Sequence, residues 1–300
     1  MDGELAKSAL VMVIYNHVPD AKTIEYAKKE VDFIVFVDNS DSEMYSQKIK
    51  TLFNNINQKY YYIINQGNVG LSKALNLGII KARSLGAYWI HFLDHDAIVK
   101  EHFFIDIRKN WIDIKLEITN LGIVVPIVTD KNNLAFYPKS EYRSVNSSIT
   151  SGILTNIDIL IAVGFFDERL FVELVDYEFT RRVKAKGYSI QRVNALHIVQ
   201  DFGIKLKFNS KVGEEIFKFV QTINLFVSKG NAFGFFKNAY SLERRKDFYF
   251  SYAQFIGKEP NLFYRGLHLL HFFILGITDS LMYANYQYLR WCLIAVSKDE

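Results

Sequence analysis

Tyr88-Trp89-Ile90-His91-Phe92-Leu93-Asp94-His95-Asp96 is the stretch that decides how this chain is read. Its first residues are apolar and aromatic, the pattern of a buried strand. The strand closes on two carboxylates spaced one residue apart. Side chains alternate along an extended chain, so Asp94 and Asp96 face one site. Paired acids at the tip of a buried strand cost free energy unless something positive lies between them. A divalent metal holding a phosphate fills that role. A strand running into a polar turn explains the same residues with no ligand at all.

Upstream, the same plan repeats. Leu10 to Asn16 is an apolar run ending in polar residues, a first buried strand, and Pro19-Asp20 marks a turn before a helix over residues 21–30. Phe33 to Val37 is a second strand, ending at Asp38-Asn39-Ser40-Asp41-Ser42. Tyr60 to Ile64 is a third, ending at Asn65-Gln66-Gly67-Asn68-Val69-Gly70. A helix follows over residues 71–85, with Leu71, Ala74, Leu75, Gly78, Ile79 and Ala82 at helical spacing. Strands alternating with helices imply an α/β fold with a mostly parallel sheet. Such sheets bind ligands beyond the carboxyl ends of their strands. Tyr15-Asn16, Asp38-Asn39, Asn65-Gly67 and Asp94-Asp96 all lie at such ends and converge on one crevice. Each has a plainer reading: Asp38-Asn39-Ser40 as a helix cap, and the Asn65–Gly70 stretch as a turn with glycines at positive φ. That stretch is neither a dinucleotide fingerprint nor a phosphate loop.

Downstream, residues 101–117 read as a helix and Leu121 to Val125 as a strand stopped by Pro126. Residues 129–149 are polar and irregular and suit a mobile loop over the site. Thr150 to Leu154 returns to a strand, and Gly164 to Glu168 is a turn. From Asp176 a helix runs through Arg181-Arg182 to a cap at Gly187. Asp176 is either the N-cap of that helix or a general base at the mouth of the cleft. Glu178 is a nearby second acid suited to an acceptor hydroxyl. Arg182 either locks the acidic turn or faces a diphosphate. A strand over Ser189 to Leu196 leaves His197 near its end, as a structural histidine or a metal ligand.

Three hundred residues, half of them hydrophobic, suffice for one large α/β domain and an appendage. The single cysteine, Cys292, excludes an internal disulfide framework and a cysteine metal cluster, which fits a reducing compartment. Met1 to Lys7 lacks a basic end followed by an apolar core, so secretion is not expected and a cytoplasmic location is. The net charge of +4 is unevenly spread: residues 205–300 hold 13 Lys/Arg against 8 Asp/Glu, and the rest of the chain is near neutral. No basic run or zinc spacing supports nucleic-acid binding.

Taken in order, these parts resemble the inverting glycosyltransferases of family 2, most closely the bacterial rhamnosyltransferase-like group. The resemblance is carried by Ile14-Tyr15-Asn16, Val37-Asp38-Asn39-Ser40, the long segment Asn65 to Gly78, Asp94-His95-Asp96, Thr150-Ser151-Gly152, Gly164-Phe165-Phe166-Asp167-Glu168 and Val175-Asp176-Tyr177-Glu178-Phe179 with Arg182 and Gly187-Tyr188. It covers roughly residues 8–205. Ile14, His95 and Glu173 depart from the group, which often has Thr, Gln and Asp there, and this leaves the donor sugar open. The resemblance implies a GT-A fold: a Rossmann-like sheet flanked by helices over residues 1–205, split near residue 97 into a nucleotide-sugar half and an acceptor half. Residues 206–300 form a helical, aromatic and basic appendage.

It also implies roles. Asp38 binds the pyrimidine base, and Tyr15 and Asn16 line its pocket. Asn39, Asn65, Gly67, Asn68, Lys73, Asp94, His95, Ser151, Gly152 and Arg182 complete the donor-binding set. Asp96, helped by Asp94 and His197, holds Mg²⁺ or Mn²⁺ on the diphosphate. Asp176 is the catalytic base, with Glu178 and Glu173 at the acceptor. The expected reaction moves a sugar, rhamnose from dTDP-rhamnose first among candidates, to a hydroxyl of a cell-surface glycan or lipid-linked oligosaccharide. A UDP-hexose or UDP-N-acetylhexosamine donor is the rival within the class, and a non-catalytic nucleotide-sugar-binding scaffold the rival outside it. In the appendage, Leu262 to Ala284 reads as a helix with an apolar core too short to span a bilayer. Peripheral contact with the inner face of the membrane is the functional expectation there.

Overall fold

The computed structural model describes residues 6–42, 44, 45, 47–49, 59–65, 67–130, 142–201, 215, 242–259, 261–282, 291, 292, 294 and 295. Among them, eight strands form one mixed sheet in the order β3-β2-β1-β4-β7-β5-β8-β6. β1 (Ser8–Ile14), β2 (Phe33–Asp38), β3 (Tyr60–Ile64) and β4 (Trp89–Phe92) run parallel. β5 (Leu121–Asp130) and β8 (Ser189–Gln200) are parallel to each other. Two short strands run against their neighbours: β6 (Tyr142–Ser144) on β8, and β7 (Leu154–Asn156) between β4 and β5. The helices are α1 (Ala21–Glu30), α2 (Leu71–Ser84), α3 (Phe103–Glu117), α4 (Ile157–Val163), α5 (Val175–Ala185), α6 (Leu242–Gly257) and α7 (Leu262–Met282).

Strand alternation sorts the core into two layers. Leu10, Met12, Ile14, Ile34 and Phe36 pack with Ile24 and Ala27 of α1 and with Phe104, Ile107 and Trp111 of α3. The other face takes α2. A Cβ built on Gly78 would lie 2.3 Å from Val11 Cγ1 and 3.4 Å from Val37 Cγ2, so only glycine lets α2 lie this close to β1 and β2. α1 starts where Asp20 caps it, its carboxylate accepting from Thr23 N–H at 2.8 Å.

The structure departs from the sequence reading in four places. β5 does not stop at Pro126 but runs through it, because the register with β8 breaks between Val125 and Ile127 and no ladder bond needs the missing N–H. Thr150 to Gly152 is not strand: Gly152 has φ 84° and its N–H donates to Phe92 O at 2.8 Å, leaving only three residues for β7. β8 continues to Gln200, so His197 lies within it, opposite Ile127. Helix α5 begins at Val175, which puts Asp176 in its first turn rather than at the N-cap. Of the expected loop over the site, residues 131–141 lie outside the described residues, as does most of 206–241.

The chain divides into two compact units. The first comprises residues 1–168 and 175–201 and contains the sheet. The second comprises 202–300 together with Arg169–Leu174, six residues that the sequence reading assigned to the catalytic domain. They belong there because the Asp247 carboxylate on α6 accepts from Val172 N–H (3.2 Å) and Glu173 N–H (3.0 Å), while Arg244 pairs with Glu173. Within this unit Tyr252 hydrogen-bonds Nδ1 of both His268 and His271 at 2.9 Å. With Arg265 and Asp279, they interrupt the apolar pattern of α7. Burial pulls the His271 imidazole down to about 4. No helix among the described residues is long and apolar enough to cross a membrane.

Candidate active site

The carboxyl ends of β1, β2, β3 and β4 are joined by side chains into one polar rim. At β2, Asp38 is buried, 1% exposed, and accepts from Ser40 N–H at 2.8 Å and from the Tyr62 hydroxyl of β3. Asn39 donates to Gly70 O at 3.1 Å and to Asn68 Oδ1 at 3.3 Å, and accepts from Asn65 Nδ2 at 2.7 Å. Asn68 in turn accepts from Gly70 N–H at 3.0 Å. At β1, Asn16 has φ 47°, a left-handed backbone that asparagine tolerates. Its N–H donates to Ser40 Oγ at 2.9 Å. Tyr15 is exposed and its hydroxyl donates to Asp41 at 2.7 Å. The asparagines thus serve first to hold the strand ends together, and Tyr15 and Asp41 present the open face.

Beside this rim, α2 starts at Gly70 with no side-chain cap and no acid in its first turn, and Lys73 stands exposed there. A helix N-terminus with a lysine attracts anions such as phosphate.

The aspartate pair forms the next cluster. Ser151 is fully buried, and its hydroxyl accepts from Asp94 N–H at 3.2 Å. It reaches a ligand only through Asp94. Gly152 packs under Pro126, where a Cβ would come within 2.5 Å of the ring. His95 turns back, its Nδ1 3.1 Å from Val13 O, and lies against the His17 ring at 5.0 Å. Burial lowers the His95 imidazole below its ordinary range, against the pull of the Asp94 carboxylate. Burial also pushes the Asp96 carboxyl up. Asp201 adds to that shift, and His17 and a hydrogen bond from Gln200 oppose it. Gln200 Nε2 donates to Asp94 Oδ2 at 2.7 Å.

Asp94, Asp96 and His197 are not brought together as a three-ligand set: among the described residues no group of three or more His, Cys, Asp or Glu side chains is arranged to hold a metal. His197 is committed to β8 at the register break. The two aspartates remain, with oxygen donors only. That set fits a hard cation which takes its other ligands from diphosphate and water.

Asp176 is half-buried on α5, with Oδ1 accepting from Tyr177 N–H at 2.9 Å. Leu174, just before the helix, has φ 63°, a strained backbone for a leucine. α5 is tied to the aspartate strand by ring contacts: Phe92 meets Phe166 edge-on at 5.5 Å, and Phe166 meets Phe179 at a tilt at 4.4 Å. Glu178 is 2% exposed and its Oε1 accepts from Arg182 Nε at 2.7 Å. Arg182 also donates to the carbonyls of Val163, Gly164 and Phe165 at 2.8–2.9 Å. On the other side of this segment, Asn76 of α2 donates to Phe166 O and Glu168 Oε1 and accepts from Phe166 N–H, all at 2.9 Å. Glu178 and Arg182 therefore form an internal lock on the helix that carries Asp176, with the guanidinium turned onto the 163–165 carbonyls. Glu173 lies in the second unit, paired with Arg244.

Sequence reasoning missed Tyr62, Asn76, His17, Gln200 and Asp201. Asn76 stands in a quoted motif, yet its partner lies 90 residues away. Gln200 and Asp201 sit about a hundred residues beyond the aspartates, with no local pattern to mark them.

Residues 10–147 match the model of Glycosyl transferase family 2. The chain carries a family 2 glycosyltransferase domain. The match takes in the whole polar rim and both aspartates. Over 221 residues the enzyme is 25% identical to the dTDP-rhamnosyl transferase RfbF of Shigella flexneri, an alignment covering 65% of this chain and 70% of that one. Its fold is similar to that of GalNAc-T7 solved with UDP, GalNAc and Mn²⁺, with a TM-score of 0.54 at 15% identity. That similarity covers 67% of this chain and 45% of GalNAc-T7, so the transferase spans less than half of that protein. It also resembles S. aureus TarS 1-349 in complex with UDP-GlcNAc, with a TM-score of 0.50 at 12% identity over 98% of this chain and 89% of that one. At such identities the structural likeness concerns the fold alone, and that fold is GT-A.

Proposed function

We propose that this glycosyltransferase moves rhamnose from dTDP-rhamnose to a hydroxyl of a cell-surface glycan or lipid-linked oligosaccharide, inverting the anomeric centre in one displacement. The observation that carries the donor is the similarity to a dTDP-rhamnosyl transferase over 221 residues. Tyr15, Asp41 and the rim around Asp38 and Asn39 receive the base and ribose. Lys73 and the first turn of α2 favour the diphosphate electrostatically. Asp94 and Asp96 would hold Mg²⁺ or Mn²⁺, which when bound would supply positive charge against the leaving diphosphate. Asp176 accepts the proton of the attacking acceptor hydroxyl, and the Glu178–Arg182 lock on the same helix keeps that helix in place. A positioned base contributes about 10²–10⁴-fold to such a step.

The acceptor side of the proposal includes contact with a membrane surface. On α7 the exposed Phe263, Leu270 and Ile277 recur every seven residues, 68%, 58% and 47% exposed, and so share one helix face. An apolar stripe of this kind suits an interfacial position at the inner face of the cell membrane, where a lipid-linked acceptor and the cytoplasmic supply of nucleotide sugar meet.

The test is the thermal midpoint of the purified protein with dTDP, UDP or GDP, each with Mn²⁺ or with EDTA. A ligand that binds the folded state raises the midpoint by mass action. A metal-dependent rise with dTDP alone is expected. A rise with UDP alone replaces the rhamnosyl donor by a UDP-sugar, and no rise with any nucleotide refutes the donor crevice.

A further inference from the structure

We propose that Gln200 is a positioning residue of the donor site, its side-chain amide holding the Asp94 carboxylate in the arrangement that receives the cation. The inference rests on the reading of those aspartates given under Proposed function. Three observations carry it. Gln200 ends β8, next to a two-bond bridge in which Ile98 N–H donates to Val199 O (2.8 Å) and Val199 N–H to Ile98 O (3.0 Å). The bridge fixes the backbone at residue 200 against the turn that follows Asp96. The amide donates to Asp94 Oδ2 at 2.7 Å. The side chain is only 8% exposed, and its Oε1 has no hydrogen-bond partner among the described residues. A carboxylate only accepts, so the amide nitrogen must face Asp94, and this leaves Oε1 as a buried acceptor at the site. Buried acceptors are rarely left unmet. A water on a cation held there would supply the missing donor.

The amide thus does two things. Without the cation, it supplies an N–H donor to the Asp94 carboxylate, which has a second acid two residues on. With the cation, it orients its ligands from one shell out, as such partners commonly do. A hydrophobic residue at 200 would remove the amide donor from Asp94 Oδ2. A glutamate would add a third negative charge.

The test compares wild type, Gln200→Leu and Gln200→Glu. In EDTA both variants should melt below wild type, Gln200→Glu lowest. With Mn²⁺ alone, Gln200→Glu should recover the most. In a transfer assay Gln200→Leu should raise the Mn²⁺ concentration for half activity about 10–100-fold. Its kcat at saturating Mn²⁺ should stay within about threefold of wild type, since the amide touches no reacting atom. Unchanged melting of both variants in EDTA overturns the inference. So does a lowered midpoint with an unaltered Mn²⁺ response, which would make the residue structural only. If wild type itself ignores Mn²⁺ and transfers in EDTA, the metal reading of the aspartates falls. Gln200→Leu then supports the inference by raising the donor KM at constant kcat, and overturns it by leaving KM unchanged.

Discussion

Replacing Arg182 with Met keeps the length and apolar stem of the side chain and removes its guanidinium. Four hydrogen bonds go with it: one to the buried Glu178 carboxylate and three to the carbonyls of residues 163–165. Breaking a buried ion pair from one side costs about 3–5 kcal/mol, because the surviving charge stays buried. The Arg182 side chain is 24% exposed, so water can partly replace it and the lower end applies, about 3 kcal/mol. For a unit of roughly 200 residues this lowers the melting midpoint by roughly 6–12 °C. Urea titration followed by tryptophan fluorescence measures it, since Trp89 and Trp111 pack edge-on at 5.2 Å in the first unit. The double variant Glu178→Leu/Arg182→Met removes the stranded charge and should recover about 1–2 kcal/mol of the loss. A loss under about 1 kcal/mol for Arg182→Met, or a double variant no more stable than the single, would refute a buried lock.

Other outcomes follow from single contacts. Gly78→Ala should cost about 1–3 kcal/mol, because the new methyl meets Val11 at 2.3 Å and α2 must lift off β1; an unchanged urea midpoint would contradict this. Asp176→Asn should leave nucleotide-induced thermal shifts intact while cutting kcat by about 10²–10⁴-fold; undiminished turnover would remove it as the base. His91 is fully buried between β4 and Phe104, and burial, seconded by Arg108, holds its imidazole well below its ordinary range. The unfolded chain therefore binds a proton that the folded one refuses once pH drops below about 6.5. Stability should be fully present above that pH and fall on acidification, by up to about 1.4 kcal/mol per pH unit for this one group. His91→Phe should flatten that part of the pH–stability curve. Phe263→Ser with Leu270→Ser should abolish sedimentation with anionic liposomes at an unchanged melting midpoint; absence of liposome binding in wild type would end the membrane proposal.

Much of the architecture was legible before any coordinates. β1 to β4 are short apolar runs that each end in a polar cluster, and burial on both faces of a parallel sheet produces that pattern directly. The convergence of Tyr15-Asn16, Asp38-Asn39, Asn65-Gly67 and Asp94-Asp96 followed from strand polarity alone. Less was legible in the second half. Pro126 reads as a stop, but a register break lets β5 pass through it. Thr150-Ser151-Gly152 looks like strand, but its glycine at positive φ makes it the turn that supports Asp94.

The sequence by itself singled out the groups proposed for the chemistry: two aspartates at a strand tip, a third acid on a helix, and a family 2 pattern around them. Local periodicity and strand polarity are short-range properties, and they survive in a linear reading. Only the tertiary structure decided what each polar residue is used for. Asp38, Ser151, Glu178 and Arg182 read as ligand groups, and each also makes hydrogen bonds to another part of the chain: Tyr62, Asp94 and the 163–165 carbonyls among them. Asn76 stands in a motif with no role assigned and Gln200 in none, yet they hydrogen-bond Phe166 and Asp94. The reason is that buried polar groups must find partners, and in a sheet assembled by crossovers those partners come from strands and helices far away in the chain.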